Sequence, residues 1–180
     1  MFITLLKADG IKSTNDYHKI LHKAFHTADQ KDACPRYTAD GSMLYVQSST
    51  KPITDKGVLA VTEATVPTGS VIVEMTIASV VRVNGKNHAI NPDEYGTKLR
   101  AKFRKYMASI GITVVEDKFA PCGFVVDMDH KSRLPKCRIV AKCECDDADV
   151  LEKFAVTGYG RAKYLGLGLP IIKAGADADE

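Results

Sequence analysis

The chain has 180 residues, is 45% hydrophobic and 26% charged, and carries a net charge of +3 at pH 7. These are the proportions of a folded globular protein, and the length admits one large domain or two small ones. No apolar run reaches the roughly 20 residues that a bilayer-spanning helix needs. The apolar start, residues 1–7, lacks a basic leader and a cleavage site and reads as a first strand rather than a signal peptide. Five cysteines stand at positions 34, 122, 137, 143 and 145. None forms Cys-x-x-Cys, so no zinc framework is expected, and the chain is expected in a reducing cytoplasm.

In chain order, residues 2–8 predict a strand. Ser13 and Asp16 form a capping-box-like start for a helix through His26. Its residues Tyr17, Ile20, Leu21, Ala24 and Phe25 fall at i, i+3, i+4, i+7 and i+8, the stripe of an amphipathic helix. Asp40-Gly41 separates two short strands, a hairpin signal, and the second of them contains Leu44-Tyr45-Val46-Gln47. Residues 52–56 predict a short helix or turn, and 58–66 a strand. After the break at Pro67-Thr68-Gly69, the alternation of Val71, Val73, Met75, Ile77, Val81 and Val83 predicts one long half-buried strand. Asn91-Pro92-Asp93-Glu94 supplies a cap, a proline at the first helical position and acids in the first turn. The helix that follows carries Tyr95, Leu99, Phe103, Tyr106 and Ile110 on one stripe and stops at Gly111. Strands are predicted near 112–118, 123–128 and 136–145. Asp146 then caps a short helix that turns Val150, Leu151 and Phe154 inward, and a glycine-rich loop leads to a last strand at 169–172. Each half reads β-α-β-β-α-β, with the second helix of the first half left as helix or turn. The predicted fold is therefore α+β, two tandem ferredoxin-like (RRM-like) domains, over residues 1–67 and 70–180. Four-stranded sheets of this kind are a common RNA-binding platform, although fold alone does not give function.

The loop reads Gly158-Tyr159-Gly160-Arg161-Ala162-Lys163-Tyr164-Leu165-Gly166-Leu167-Gly168-Leu169. Glycines let backbone N–H groups approach a ligand closely, and beside Arg161 and Lys163 such a run makes a nest for phosphate. A helix cap followed by a turn into a strand explains the same glycines. The order helix, glycines, strand reverses that of a dinucleotide fingerprint, and no Gly-Lys-Ser/Thr opens a helix as in a Walker loop. Charge is uneven: residues 82–138 hold twelve Lys and Arg against six Asp and Glu, and the tail 177–180 is acidic. A local basic surface points to a polyanion partner, with a solvated charged face as the plain alternative.

The first helix carries His18, His22 and His26. At about 100° per residue, His18 sits on the border of the apolar stripe and His26 points to solvent. A half-desolvated border histidine suits a general acid or base. The i, i+4 spacing of His18 and His22 also suits a metal, but no further ligands complete a set. Lys19 and Lys23 lie on the far flank. Lys98, Lys102 and Lys105 share one flank of the second long helix, and Arg100 and Arg104 another. The group His130-Lys131-Ser132-Arg133, with Lys136, falls at the turn of a predicted hairpin.

Together these features resemble the CasE-type CRISPR repeat-processing endoribonucleases of Cascade complexes. The loop at 158–169 fits the family's glycine-rich loop in spacing and in its place between last helix and last strand. His18, followed by Leu21 and Phe25, matches the family's catalytic helix, and Leu44-Tyr45-Val46-Gln47-Ser48 with Pro52 resembles its third strand. Asn15 stands where members often carry tyrosine, which leaves Tyr17 as the nearby phenol. The resemblance implies metal-independent cleavage of a CRISPR repeat RNA hairpin without a cofactor, by attack of a ribose 2′-hydroxyl on the adjacent phosphate. A 2′,3′-cyclic phosphate and a 5′-hydroxyl result. His18 would be the acid or base, with His22 in reserve. Tyr17 would orient the ribose and Lys23 would stabilise charge. Gly158, Gly160, Gly166 and Gly168, with Arg161 and Lys163, would hold the RNA backbone. Lys131, Arg133, Lys136, Lys98, Lys102 and Lys105 would grip the stem. The implied partners are the RNA and other subunits of a Cascade-like complex. The alternatives are a guide-RNA-binding subunit that does not cut, and a plain interaction domain.

Overall fold

The computed structural model describes residues 1–25, 35–129 and 131–175. His26, Cys34, His130 and the acidic residues 177–180 lie outside them. The first unit runs β1 (Phe2–Lys7), α1 (Thr14–Phe25), β2 (Arg36–Asp40), β3 (Met43–Ser48) and β4 (Val58–Glu63). Its antiparallel sheet has the order β2-β3-β1-β4. The second unit runs β5 (Gly69–Ala78), β6 (Val80–Val83), β7 (Lys86–Ala89), α2 (Arg100–Ser109), β8 (Thr113–Asp127), β9 (Ser132–Cys145), α3 (Ala148–Thr157) and β10 (Ile171–Ala174). Its sheet has the order β10-β5-β9-β8, with β6 and β7 apart as a two-stranded ribbon. In both sheets the first and third strands are central and the second and fourth lie outside. This is the ferredoxin-like arrangement, built twice.

Local chemistry explains where the elements start. Asp16 accepts hydrogen bonds from the backbone N–H groups of Lys12 and Ser13 at 3.0 and 2.9 Å, satisfying donors just ahead of the first turn of α1. The stripe then buries Leu21, Ala24 and Phe25 against Leu6, Tyr37, Leu44 and Val46. Asn91 accepts from the Asp93 N–H, and the segment it caps winds through a tight turn, Pro92–Glu94, and a wide one, Tyr95–Leu99, before becoming α2. Tyr95, Leu99, Phe103 and Met107 pack against the inner face of β5 and β9.

Residues 52–56, expected as a short helix or turn, hold no helix: Pro52 and Gly57 bracket too few residues for one, and the Ile53 N–H donates to the Ala24 carbonyl. Four details differ from the sequence-based expectation. The long strand expected through Val83 breaks at Ser79, whose N–H bonds to Pro135 and whose carbonyl accepts from Ile90. Asn84 and Gly85, at φ 48° and 79°, then fold β6 back on β7. The strands expected at 112–118 and 123–128 are one strand, β8, with a register shift between Pro121 and Phe124. Pro121 and Gly123 (φ 90°) make a bulge there rather than an end. Asp147, not Asp146, caps α3, accepting from the N–H groups of Asp149 and Val150. The last strand starts at Ile171 rather than Leu169, because Pro170 has no N–H to add to the ladder.

The units lean on one another. α3 packs on β3, and Gln47, on the sheet face away from α1, is buried. Arg36 donates to the Thr157 carbonyl at the end of α3 (3.1 Å). At the other side the end of β8 meets the start of α1. Met128 N–H donates to Thr14 Oγ1 (3.3 Å) and Asn15 N–H to Asp129 Oδ2 (3.1 Å).

Candidate functional site

The glycine loop closes on itself. α3 ends at Gly158 (φ 64°), whose N–H returns to Phe154. The Tyr159 N–H then donates to the Gly168 carbonyl (2.9 Å), and the Gly168 N–H to Thr76 of β5 (2.7 Å). A Cβ on Gly158 would lie 2.3 Å from the Gly168 oxygen, and one on Gly168 only 2.0 Å from the Tyr159 oxygen. Two backbones cross here at a distance only glycine permits. Gly160 sits against Ile77 and Gly166 against Tyr37, each at 3.2 Å from a would-be Cβ. The amides of Gly158, Tyr159, Gly166 and Gly168 all donate within the protein. The neck glycines thus hold the loop's shape, and its outer rim carries the side chains that face outward.

Of the rim cations, Lys163 folds inward. Its Nζ donates to the carbonyls of Thr157 (2.8 Å) and Gly158 (3.0 Å), capping the C-terminal end of α3. Burial first, and then the nearby Arg36 charge, push it down to about 8. Arg161 is exposed. With Tyr164, Arg82 and Asn87 it lines a cleft of about 310 Å³ between the loop and the β6–β7 ribbon.

Tyr164 is the hub. Its carbonyl accepts from the Tyr37 hydroxyl at 2.5 Å, and its own hydroxyl donates to the buried Asp127 carboxylate at 2.8 Å. Burial and that bond push the Tyr164 phenol up to about 12. His18 also hydrogen-bonds with the Tyr164 backbone and stands edge-on to Tyr37, ring centroids 6.3 Å apart. His18 is half-buried, as its place on the helix border predicts. Burial and the neighbouring His22 lower its pKa, the Tyr164 backbone and Asp129 oppose that, and Arg36 adds to the lowering. The imidazole is therefore held mostly neutral at pH 7. Tyr17 packs on Tyr37 (5.6 Å) and lines, with Thr14, Thr38, Met128, Lys136 and Gly166, a cleft of about 240 Å³ between the units.

The structure thus brings His18, Tyr17, the glycine loop and Lys163 into one neighbourhood. Lys23 is exposed and, five residues on, lies about 140° around the helix from His18. His22 is exposed. Lys131 and Arg133 are exposed at the β8–β9 tip, and Lys136 is half-buried on β9. Lys102 and Lys105 are exposed along α2 and Lys98 in the wide turn before it, outside this cluster, with Lys98 paired to Glu94 at 2.5 Å. Arg100 and Arg104 hold the buried Asp117 at 2.5 and 2.6 Å. Sequence reasoning passed over Arg36, Tyr37 and Tyr164. Only Tyr164 carried a signal, as part of the glycine motif. Among the described residues no group of three or more His, Cys, Asp or Glu gathers as metal ligands, and no helix is long and apolar enough to cross a membrane.

No protein-family model matches the chain, and no curated protein matches it. Solved structures do, and among them are CRISPR-associated proteins, including the CRISPR endoribonuclease Cse3. Cse3 bound to a 19-nucleotide RNA is similar with a TM-score of 0.69 at 17% identity, over 96% of this chain and 97% of that one. Thermus thermophilus Cse3, bound to an RNA representing a pre-cleavage complex, is similar at 0.66 and 17% identity, over 96% and 98% of the two chains. Cas6e from Escherichia coli K-12 is similar at 0.68 and 14% identity, over 97% and 100%. The tandem fold of these proteins is the fold of this chain.

Proposed function

We propose that this protein is a metal-independent endoribonuclease that cleaves CRISPR repeat RNA hairpins and stays bound to its product within a Cascade-like complex. The observation that carries the reading is the position of His18. It is half-desolvated, held by the Tyr164 backbone of the glycine loop, and close enough to Arg36 to feel its charge. The similar Cse3 structures hold RNA.

In the proposed reaction the 2′-oxygen attacks the adjacent phosphorus and the P–O5′ bond breaks. The 2′-hydroxyl proton passes to a base, and a proton is delivered to the leaving 5′-oxygen. A neutral His18 accepts the first proton, and proton transfer by one positioned side chain contributes roughly 10²–10⁴-fold. Arg36 and Lys163 place positive charge where the phosphorane develops. Tyr17 orients the ribose from the inter-unit cleft. Arg161 and Lys131 track phosphates of an A-form stem, which is recognised by shape and backbone, and Arg133 and Lys136 hold the RNA backbone where the stem ends.

The test is incubation with a repeat hairpin in EDTA. The expected outcome is a product ending in a 2′,3′-cyclic phosphate that stays bound to the protein. Intact RNA held tightly would make the chain a guide-RNA-binding subunit that does not cut, and absence of binding would make it neither.

A further inference from the structure

On the far side of Lys136 from the inter-unit cleft lies a second cleft, of about 530 Å³. Its walls are Ile90, Pro92, Tyr95, Pro121 and Phe124, with Arg133 at the rim, and no Asp or Glu lines it. A volume of this size, apolar with a few polar groups, suits a small planar ligand.

Phe124 is the anomaly in it. The ring is 56% exposed although it stands within β8. The cause is the bulge: Cys122 and Gly123 have no partners in the β9 register, so Phe124 resumes pairing, opposite Pro135, at a shifted position. The Arg133 guanidinium lies 4.9 Å from the ring centroid. No carboxylate pairs with Arg133 among the described residues. An aromatic ring backed by one cation, with a second in the same lining and no Asp or Glu among the lining residues, is the composition of a base-stacking platform.

Resting on the RNA-binding reading above, we propose that this cleft holds an unpaired nucleotide of the RNA, its base stacked on Phe124 and its phosphate on Arg133 and Lys136. A base pair inside the stem is excluded as occupant, because its faces are covered by its neighbours. The occupant is a flanking or looped-out nucleotide next to the stem; the terminal pair, whose outer face is free, is present in the blunt hairpin of the test as well. Lys136 lines this cleft and also the one beside Tyr17. One lysine thus lies between the stacking platform and the cleft beside Tyr17.

The test uses the full chain and two RNA hairpins with the same stem, one blunt and one with unpaired nucleotides on both sides. The protein contains no tryptophan, so 2-aminopurine placed at each unpaired position in turn reports stacking without interference. Wild type should bind the flanked hairpin about tenfold more tightly than the blunt one and quench one labelled position. Phe124→Ala should remove both effects and leave the blunt hairpin's affinity unchanged, while Phe124→Tyr should retain both. Equal affinity of wild type for the two hairpins, quenching at no position, or an equal loss on both hairpins in Phe124→Ala would overturn the proposal. If neither hairpin binds wild type, the RNA-binding reading itself fails, which is a separate result. The exposed ring makes a folding defect easy to exclude by comparing thermal melts.

Discussion

The two units share one strand order and differ in what they bury. Among its described residues the first has strands of five or six residues, a single helix, and a β4 that leaves Leu59 and Val61 at 53% and 39% exposure. The second has strands of up to 15 residues and two helices around Phe103, Leu151 and Phe154. The smaller unit carries His18 and Tyr17, and the larger one carries the loop that holds His18 in place. The group proposed to react sits on the unit with the smaller core, and its position is fixed by bonds that cross between the units.

This contrast can be broken at several points. The deepest effect should come from the smaller unit's chemistry: His18→Ala should slow single-turnover cleavage about 10²–10⁴-fold with RNA affinity within about twofold. If His22→Ala instead carries the loss, the assignment moves one turn along α1. The larger unit should carry the stability. Phe103→Ala should cost about 3–5 kcal/mol in urea unfolding, and a loss no larger than that of a surface substitution would reverse the contrast. Gly168→Ala should cost about 1–3 kcal/mol and release the Tyr159–Gly168 bond, visible as faster hydrogen exchange at the Tyr159 amide.

Effects of pH should be smaller. The lowered His18 pKa places a limb of the rate profile below pH 6.5, rising with pH for a base, and His18→Ala should abolish it. The same shift means the unfolded chain takes up the proton first, so this group's contribution to stability is complete above 6.5 and declines as pH falls through the folded value. Lys163 should give the smallest change. As pH rises through about 8 it loses its charge, and RNA affinity should drop. Stability from this group should rise over the same interval, up to 10.5, because the unfolded chain retains the proton. A flat affinity across pH 8 would remove Lys163 from the phosphate-binding set.

Much of this was legible from local pattern. The 3.6-residue stripe of α1 placed His18 at a half-buried border, and alternation from Val71 to Ile77 marked β5, one of the two long central strands. What escaped is of two kinds. Alternation continues through Ser79, so apolar periodicity alone does not reveal that the chain changes sheets there; Asn84-Gly85, a strong hairpin signal, was the residue-level cue. Pro121 and Gly123 carry the punctuation of a strand end, yet the β9 ladder continues past them, and tertiary pairing turns the break into a bulge. The hub of the site lies beyond any local pattern. Tyr37 and Tyr164 are 127 residues apart, and nothing in the spacing of either announces a bond that only the docking of two units creates.

The crossing at Gly158 and Gly168 makes the loop a lariat, with entry and exit pinned at one knot. Changes at its outermost position, Arg161, should stay between fixed posts rather than propagate into α3 or β10. A lineage that keeps the knot would be free to rewrite the rim, so the segment proposed to meet the RNA could drift while the register of the final strand stays fixed. Ala162, left-handed at φ 59°, marks where such rewriting should begin, since a glycine there removes a backbone penalty of about 1 kcal/mol.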